Sequence, residues 1–254
     1  MIDLRGKAAL ITGGSRGIGR ASALRLAEAG CDVAFTYLNS PRNAREVAEA
    51  VAGYGRRALA VKADVSQPAD VEAAVRVVGE EFGRLDILVS NAAGGGFRPL
   101  LDMTLPNFDY AMHVNVRALV LLAQHAAPRL EKATGRGRII TMSSMGGTRA
   151  IPLYGLIGAA KGALESVTRH LALELGPRGI NVNCICAGLV DTGAISHLPN
   201  KEDILRMRRQ KSLVGDVDLK PEHVADAVLY LASPLAEMVQ GATLVIDGGA
   251  SLHV

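Results

Sequence analysis

A tyrosine and a lysine separated by six residues, Tyr154 and Lys161, can do acid-base chemistry together. At about 100° per residue, a seven-residue step along an α-helix returns to within roughly 20° of the same face. Both side chains can therefore point into one cleft, two turns apart. A lysine ammonium near a phenol favours the phenolate and lowers a pKa that is about 10 when unperturbed. Such a tyrosine is a better acid-base group near neutral pH. Alone, the pair more often means a tyrosine packed at a helix start and a solvated lysine. The elements around it change that balance.

The stretch from Ser143 to Lys161 follows an apolar run, Arg138 to Met142, and leads into helical periodicity from about Leu153 to Leu175. The same alternation runs through the chain. Strand-length apolar runs lie at Lys7 to Ile11, Asp32 to Tyr37, Ala58 to Ala63, Leu85 to Val89, Ile180 to Cys186 and Thr243 to Ile246. Helical patterns fill the intervals: to about Ala29, Pro41 to Gly53, Pro68 to Phe82, a long one over about Pro106 to Lys132, and Pro221 to Leu231. Strands apolar throughout, alternating with helices, predict a parallel sheet covered on both faces. No internal repeat, low-complexity segment or linker-like shift interrupts residues 1–254, so one domain is expected. The one long irregular stretch, about Asp191 to Lys220, reads as a lid over a site.

After the first strand comes Thr12-Gly13-Gly14-Ser15-Arg16-Gly17-Ile18-Gly19, and then a helix. Strand, glycine-rich turn and helix present free backbone N–H groups and a helix N-terminus to a pyrophosphate. The spacing is Gly-x-x-x-Gly-x-Gly rather than Gly-x-Gly-x-x-Gly. Enzymes that use NAD usually carry an acidic residue near the end of the second strand for the ribose 2′-hydroxyl. Here the chain reads Thr36-Tyr37-Leu38-Asn39-Ser40, with Arg42 beyond and Arg16 in the glycine turn. With no carboxylate and two cations available for a 2′-phosphate, NADPH is expected over NADH.

Composition narrows the rest. With 49% hydrophobic residues the chain can bury a large core, and 28 glycines with 4% aromatics and no tryptophan suit close helix-sheet packing. A net charge of +3 without a like-charge run gives no sign of nucleic-acid binding. No apolar run approaches a membrane span, and Met1 to Lys7 lacks a signal-peptide core, so a soluble cytoplasmic protein is expected. Three cysteines suggest no disulfide framework. Cys184 and Cys186 alternate along a strand as small core residues, and no metal site is expected.

Thr12-Gly13-x-x-x-Gly17-x-Gly19, Asp64-Val65, Asn91-Ala92-Ala93-Gly94, Asn115, Ser144 and Lys161 fall in the order and spacing of the short-chain dehydrogenase/reductase family, which the whole chain resembles. The resemblance implies a Rossmann-type doubly wound parallel sheet of about seven strands, a nicotinamide dinucleotide and frequent homotetramers. By position it assigns Gly13, Ser15, Arg16, Gly17, Ile18 and Gly19 to the pyrophosphate, with Asn39 beyond the second strand. Asp64 and Val65 go to adenine, and Asn91 to the cofactor ribose. Lys161 holds the nicotinamide ribose and assists the tyrosine, Thr192 meets the carboxamide, and Asn115 shapes the site or its proton path. Ser144 either orients the substrate oxygen or closes a turn with Ser143.

Two departures matter. Ala187-Gly188 stands where the family commonly has Pro-Gly. Most members also have three residues between tyrosine and lysine, which would put the tyrosine at Ile157. The Tyr154-x6-Lys161 spacing instead resembles the NADPH-using enoyl-acyl-carrier-protein reductase III group, as do Asn91 to Pro99 and His197 to Asp203. In ketone reduction, hydride and proton go to the two atoms of one carbonyl. In enoyl thioester reduction, hydride goes to the β-carbon while charge develops on the thioester oxygen, several bonds away. Three residues along a helix displace the phenol by roughly 4.5 Å, about the offset required.

The expected function is NADPH-dependent reduction of a trans-2-enoyl thioester on acyl carrier protein or coenzyme A, in fatty-acid elongation first and a tailoring pathway second. The alternatives are a ketoreductase or alcohol dehydrogenase of the same fold, and a cofactor-sensing protein without turnover. The sensor needs the glycine turn but not Asn115, Ser144, Tyr154 and Lys161 together. Arg206, Arg208, Arg209 and Lys211 in the lid could steer an acidic carrier, but such a cluster is more often a solvated helix face.

Overall fold

Successive side chains of a strand face opposite sides of its sheet, so a strand with no polar residue needs cover on both. In β1 (Ala8–Ile11) every residue is buried. Ala8 and Leu10 enter one core cluster, while Ala9 and Ile11 enter the other. The computed structural model describes residues 2–193 and 201–252. The elements after β1 are α1 (Gly17–Glu28), β2 (Asp32–Tyr37), α2 (Pro41–Gly53), β3 (Ala58–Lys62), α3 (Pro68–Phe82) and β4 (Ile87–Ser90). Then come α4 (Leu105–Met112), α5 (Ala118–Leu130), β5 (Gly137–Ser144), α6 (Gly155–Leu175), β6 (Ile180–Ala187), α7 (Lys201–Gln210), α8 (Pro221–Ala232) and β7 (Thr243–Ile246).

The strands form one seven-stranded sheet in the order β3-β2-β1-β4-β5-β6-β7. Every pair is parallel. Buried residues of α1, α2 and α8 join the cluster on one face, and those of α3, α5 and α6 the cluster on the other. This is the doubly wound Rossmann-type arrangement expected from the alternating pattern. The order reverses direction between β1 and β4, and the crevice outside the carboxyl ends of the strands at that point is where such sheets take ligands.

Three expectations are corrected. The long helix over 106–132 is α4 and α5 joined by a π-helical turn, His113–Arg117. A wider turn leaves one helical carbonyl over, and the Asn115 amide takes that of Ala111 at 2.7 Å. The stretch 191–220 is not irregular throughout, since it contains α7. That helix buries no residue, and Glu202 and Asp203 in its first turn and Arg208 and Arg209 in its last complement its dipole. Finally, α6 begins at Gly155 rather than Leu153, so Tyr154 is the residue before the helix. Part of the His197 to Asp203 signature, 197–200, lies outside the described residues.

Candidate active site

The carboxyl end of β1 is tied to that of β4. Thr12 Oγ1 accepts the backbone N–H groups of Asn91 and Ala92, each at 3.0 Å. The Asn91 amide donates back to the carbonyls of Thr12 at 2.9 Å and Gly13 at 3.2 Å. Gly19 closes this knot: a Cβ there would lie 2.3 Å from the Gly13 oxygen and 2.7 Å from Asn91 Nδ2. Arg16 offers no side-chain cap to α1. The first-turn N–H groups of that helix are left for an anion, the arrangement that suits a pyrophosphate.

The other predicted binding residues ring the same edge. Thr192 meets the glycine turn, since a Cβ on Gly17 would lie 3.3 Å from its Cγ2. Ser15 and Val65 are buried, while Ile18 is half-buried. Asp64 Oδ1 accepts the N–H of Ser66 at 2.8 Å. Asn39 is exposed in the turn after β2, as is Arg16 in the glycine turn. Arg42 makes an exposed pair with Glu46 at 3.0 Å in α2, whereas Arg16 stands in the glycine turn itself and is the better placed of the two predicted cations.

Tyr154 and Lys161 converge on the end of β5. Ser144, the last residue of that strand, shares a 2.8 Å hydrogen bond between its hydroxyl and the Tyr154 phenol. Two residues earlier, the Met142 carbonyl accepts from Lys161 Nζ at 2.7 Å. Asn115 stands nearby in chain topology, its amide also donating to the Gly94 carbonyl at 2.7 Å while its buried Oδ1 has no partner. The structure thus brings Ser144 to Tyr154 and sets Lys161 on the same strand end.

The electrostatics correct one expectation. The Tyr154 phenol is not lowered towards neutrality but raised, chiefly by burial, with the Ser144 hydrogen bond opposing. Lys161, only 5% exposed, is pulled down to about 8 by burial, against the raising influence of Cys184, Cys186 and Glu165. Burial dominates in both, and neither group is among those that shift the other. Tyr154 is therefore a protonated donor at neutral pH. Cys184 and Cys186 are free, buried thiols raised to about 11 and about 12 by burial, in keeping with a packing role.

Ile157, the position at which the common three-residue spacing would put the tyrosine, is 6% exposed and fills the space beside Gly95. A Cβ on Gly95 would lie 2.5 Å from Ile157 Cγ1, and its φ of +151° is itself a glycine conformation. Beside Tyr154 lies an open depression of about 410 Å³, whose walls include Gly146, Ile151 and Gly158. Three neighbours escaped the sequence reading. Phe97 places its ring 5.7 Å from that of Tyr154, with no signal beyond being an aromatic in a loop. Leu153 has a left-handed backbone, φ +62°, which leucine does not advertise. Glu165, buried and bound by the Ser143 hydroxyl, was legible as a carboxylate one turn beyond Lys161.

The cations of α7 are engaged within the fold. Arg206 pairs with Asp203 at 2.8 Å, Arg209 with Asp218 at 2.7 Å and Lys201 with Asp191 at 2.6 Å. Arg208 turns inward to the Asp247 carbonyl at 3.1 Å. Among the described residues no helix is long and apolar enough to cross a membrane, and no group of three His, Cys, Asp or Glu could hold a metal.

The enoyl-(acyl carrier protein) reductase family model matches residues 13–251. The chain is 36% identical to 1-cyclohexenylcarbonyl-CoA reductase of Streptomyces collinus over 255 residues, 98% of this chain and 88% of that protein. It is also 36% identical to hydroxynaphthalene reductase arp2 of Aspergillus fumigatus over 250 residues, 94% of this chain and 90% of that one. Among solved structures, a short-chain dehydrogenase from Burkholderia cenocepacia in complex with NADP superposes with a TM-score of 0.90 at 41% identity. It covers 98% of this chain and 99% of its own.

Proposed function

Because this chain belongs to the short-chain dehydrogenase/reductase family, we propose that it catalyses the NADPH-dependent reduction of the carbon-carbon double bond of a trans-2-enoyl thioester. The observation that carries this reading is the tyrosine's place. Tyr154 stands before α6 rather than in it, while an apolar, buried Ile157 occupies the helical position of the usual carbonyl-reducing tyrosine. The relative named 1-cyclohexenylcarbonyl-CoA reductase supports a coenzyme A thioester, with acyl carrier protein the other carrier. Coenzyme choice is supported by the NADP bound to the Burkholderia relative and by Arg16 standing exposed in the glycine turn without an acidic residue beyond β2.

The glycine turn and the open N-terminus of α1 hold the pyrophosphate, Asp64 and Val65 the adenine end, and Asn91, Lys161 and Thr192 the nicotinamide half. When bound, the reduced nicotinamide supplies the hydride that enters the β-carbon. Negative charge then develops on the thioester oxygen, and Tyr154 meets it with a protonated phenol that donates a hydrogen bond or its proton. The Ser144 hydroxyl orients that phenol. The Lys161 ammonium, anchored on Met142, favours electron-rich oxygen at the same strand end. Asn115, with an unpartnered buried Oδ1, offers an acceptor for a water on a proton path. Residues 201–220, the described part of the expected lid, cover the acyl chain. A cytoplasmic homotetramer serving fatty-acid elongation, or else a tailoring pathway, completes the proposal.

A carbonyl reductase is the second reading. The direct Ser144–Tyr154 bond favours it, as does a relative whose name, hydroxynaphthalene reductase, carries no thioester. Tyr154→Phe tests the role of the phenol: turnover of crotonyl-CoA should fall by roughly 10²- to 10⁴-fold, the usual worth of a positioned acid, while NADPH binding by fluorescence stays within about twofold. Undiminished turnover would remove Tyr154 from the chemistry.

A further inference from the structure

Tyr154 is the residue before α6, so the helix does not fix its position as it would fix a tyrosine at 157. The segment leading into it must do so. Leu153 is the one non-glycine residue with positive φ among those described, at +62°. L side chains adopt that region rarely, and a bulky one there is held by its surroundings. Its carbonyl accepts the backbone N–H of Arg98 at 3.0 Å, and the next N–H, that of Tyr154, donates to Ile151 at 3.1 Å. Arg98 is followed by Pro99, which biases it to extended backbone and so helps to aim its N–H. The adjacent Phe97 lays its ring 5.7 Å from that of Tyr154. The segment after β4, whose start at Asn91 is knotted to the glycine turn, thus grips both the backbone before Tyr154 and its ring. Leu153 itself is 40% exposed, so its side chain contributes little to the core.

We propose that Leu153 is a positioning residue, whose left-handed backbone, clamped by the Arg98 N–H, aims Tyr154 across to Ser144. This rests on the assignment of Tyr154 to the reacting oxygen. The backbone, not the apolar side chain, is the operative feature, and the two make opposite demands. Glycine and asparagine tolerate positive φ, whereas a β-branched valine does not. If Leu153 were an apolar contact, valine would be the mild substitution instead.

The test compares Leu153→Gly, Leu153→Asn and Leu153→Val, each with Tyr154 and with Tyr154→Phe. The readouts are kcat and KM for crotonyl-CoA and NADPH, and the ring-carbon resonance of Tyr154 in protein made with labelled tyrosine. That resonance is identified among the five tyrosines by its loss in Tyr154→Phe. Turnover of the glycine and asparagine variants should exceed that of the valine variant by roughly tenfold or more, since small misplacements of a reacting group are costly. KM for NADPH should move less than twofold, and the valine defect should vanish in the Tyr154→Phe background. The Tyr154 resonance should shift in the valine variant alone. Valine outperforming glycine and asparagine, or three equal variants with an unmoved resonance, would overturn the proposal. Tyr154→Phe with full turnover would sink the catalytic assignment instead, and the resonance would still decide whether Leu153 sets the ring.

Discussion

Ser144 Oγ and Tyr154 Oη lie 2.8 Å apart, joining the last residue of β5 to the residue before α6. The bond spans an approach segment that holds a short 3₁₀ turn, Met145–Gly147, and the left-handed Leu153. Helical phase therefore does not set the relation of Tyr154 to Lys161. Both are set by the strand, which Tyr154 meets at Ser144 and Lys161 at Met142.

Moving the phenol back into the helix should move the chemistry. In Tyr154→Phe with Ile157→Tyr, reduction of acetoacetyl-CoA should appear and reduction of crotonyl-CoA should stay low. Tyrosine is larger than the buried isoleucine against Gly95, so overpacking should cost about 1–3 kcal/mol, read as a lower Tm. A folded double variant with neither activity, or with crotonyl-CoA activity restored, would count against the positional explanation.

Lys161 should leave opposite marks on stability and turnover as pH rises. Its folded pKa of about 8 lies below the ordinary 10.5. Between these values the unfolded chain binds more protons than the folded one, so stability rises with pH across the window. A difference of that size corresponds to about 3 kcal/mol. Below about 8 the folded protein bears the cost of a buried ammonium. Urea unfolding between pH 7.5 and 10 should show the stability of the parent relative to Lys161→Met rising with pH, because the raised thiols of Cys184 and Cys186, which lower stability above about pH 9, act on both alike. Turnover should instead decline above about pH 8 as the ammonium is lost. A difference between the two proteins that does not change with pH would contradict the buried-ammonium description.

Arg16 should carry coenzyme preference. Hydrogen bonds to charged groups are worth about 1.5–3 kcal/mol, so Arg16→Ala should raise KM for NADPH by roughly ten- to a hundredfold and leave KM for NADH nearly unchanged. Arg42→Ala should do less, because Arg42 stands in α2 rather than in the glycine turn. Equal losses for both coenzymes with Arg16→Ala would point to general damage of the glycine turn.

The sheet was legible because burial on both faces writes an apolar run into β1 and β4 and a largely apolar one into β2, β5 and β6, where buried Thr36, Arg138, Thr141, Asn181 and Asn183 interrupt it. The glycine turn was legible because close backbone contact at Gly19 tolerates no side chain. What could not be read was decided by tertiary contacts or by backbone without a residue signature. The π turn at Asn115 interrupts a sequence that is helical on both sides. Short, strongly charged and without a buried residue, α7 offers few apolar positions to reveal it. Leucine at 153 hides a conformation that glycine would have announced. The direction of the Tyr154 shift was misjudged for a related reason: spacing reveals a neighbouring charge but not the loss of water around both groups.

The most direct test of the enoyl-thioester assignment is NADPH oxidation followed in parallel with crotonyl-CoA and with acetoacetyl-CoA, each repeated with NADH. Rapid consumption of NADPH with crotonyl-CoA and little with acetoacetyl-CoA is the predicted result. Consumption with acetoacetyl-CoA alone would contradict it, and would make the Tyr154–Ser144 pair the acid of a carbonyl reductase.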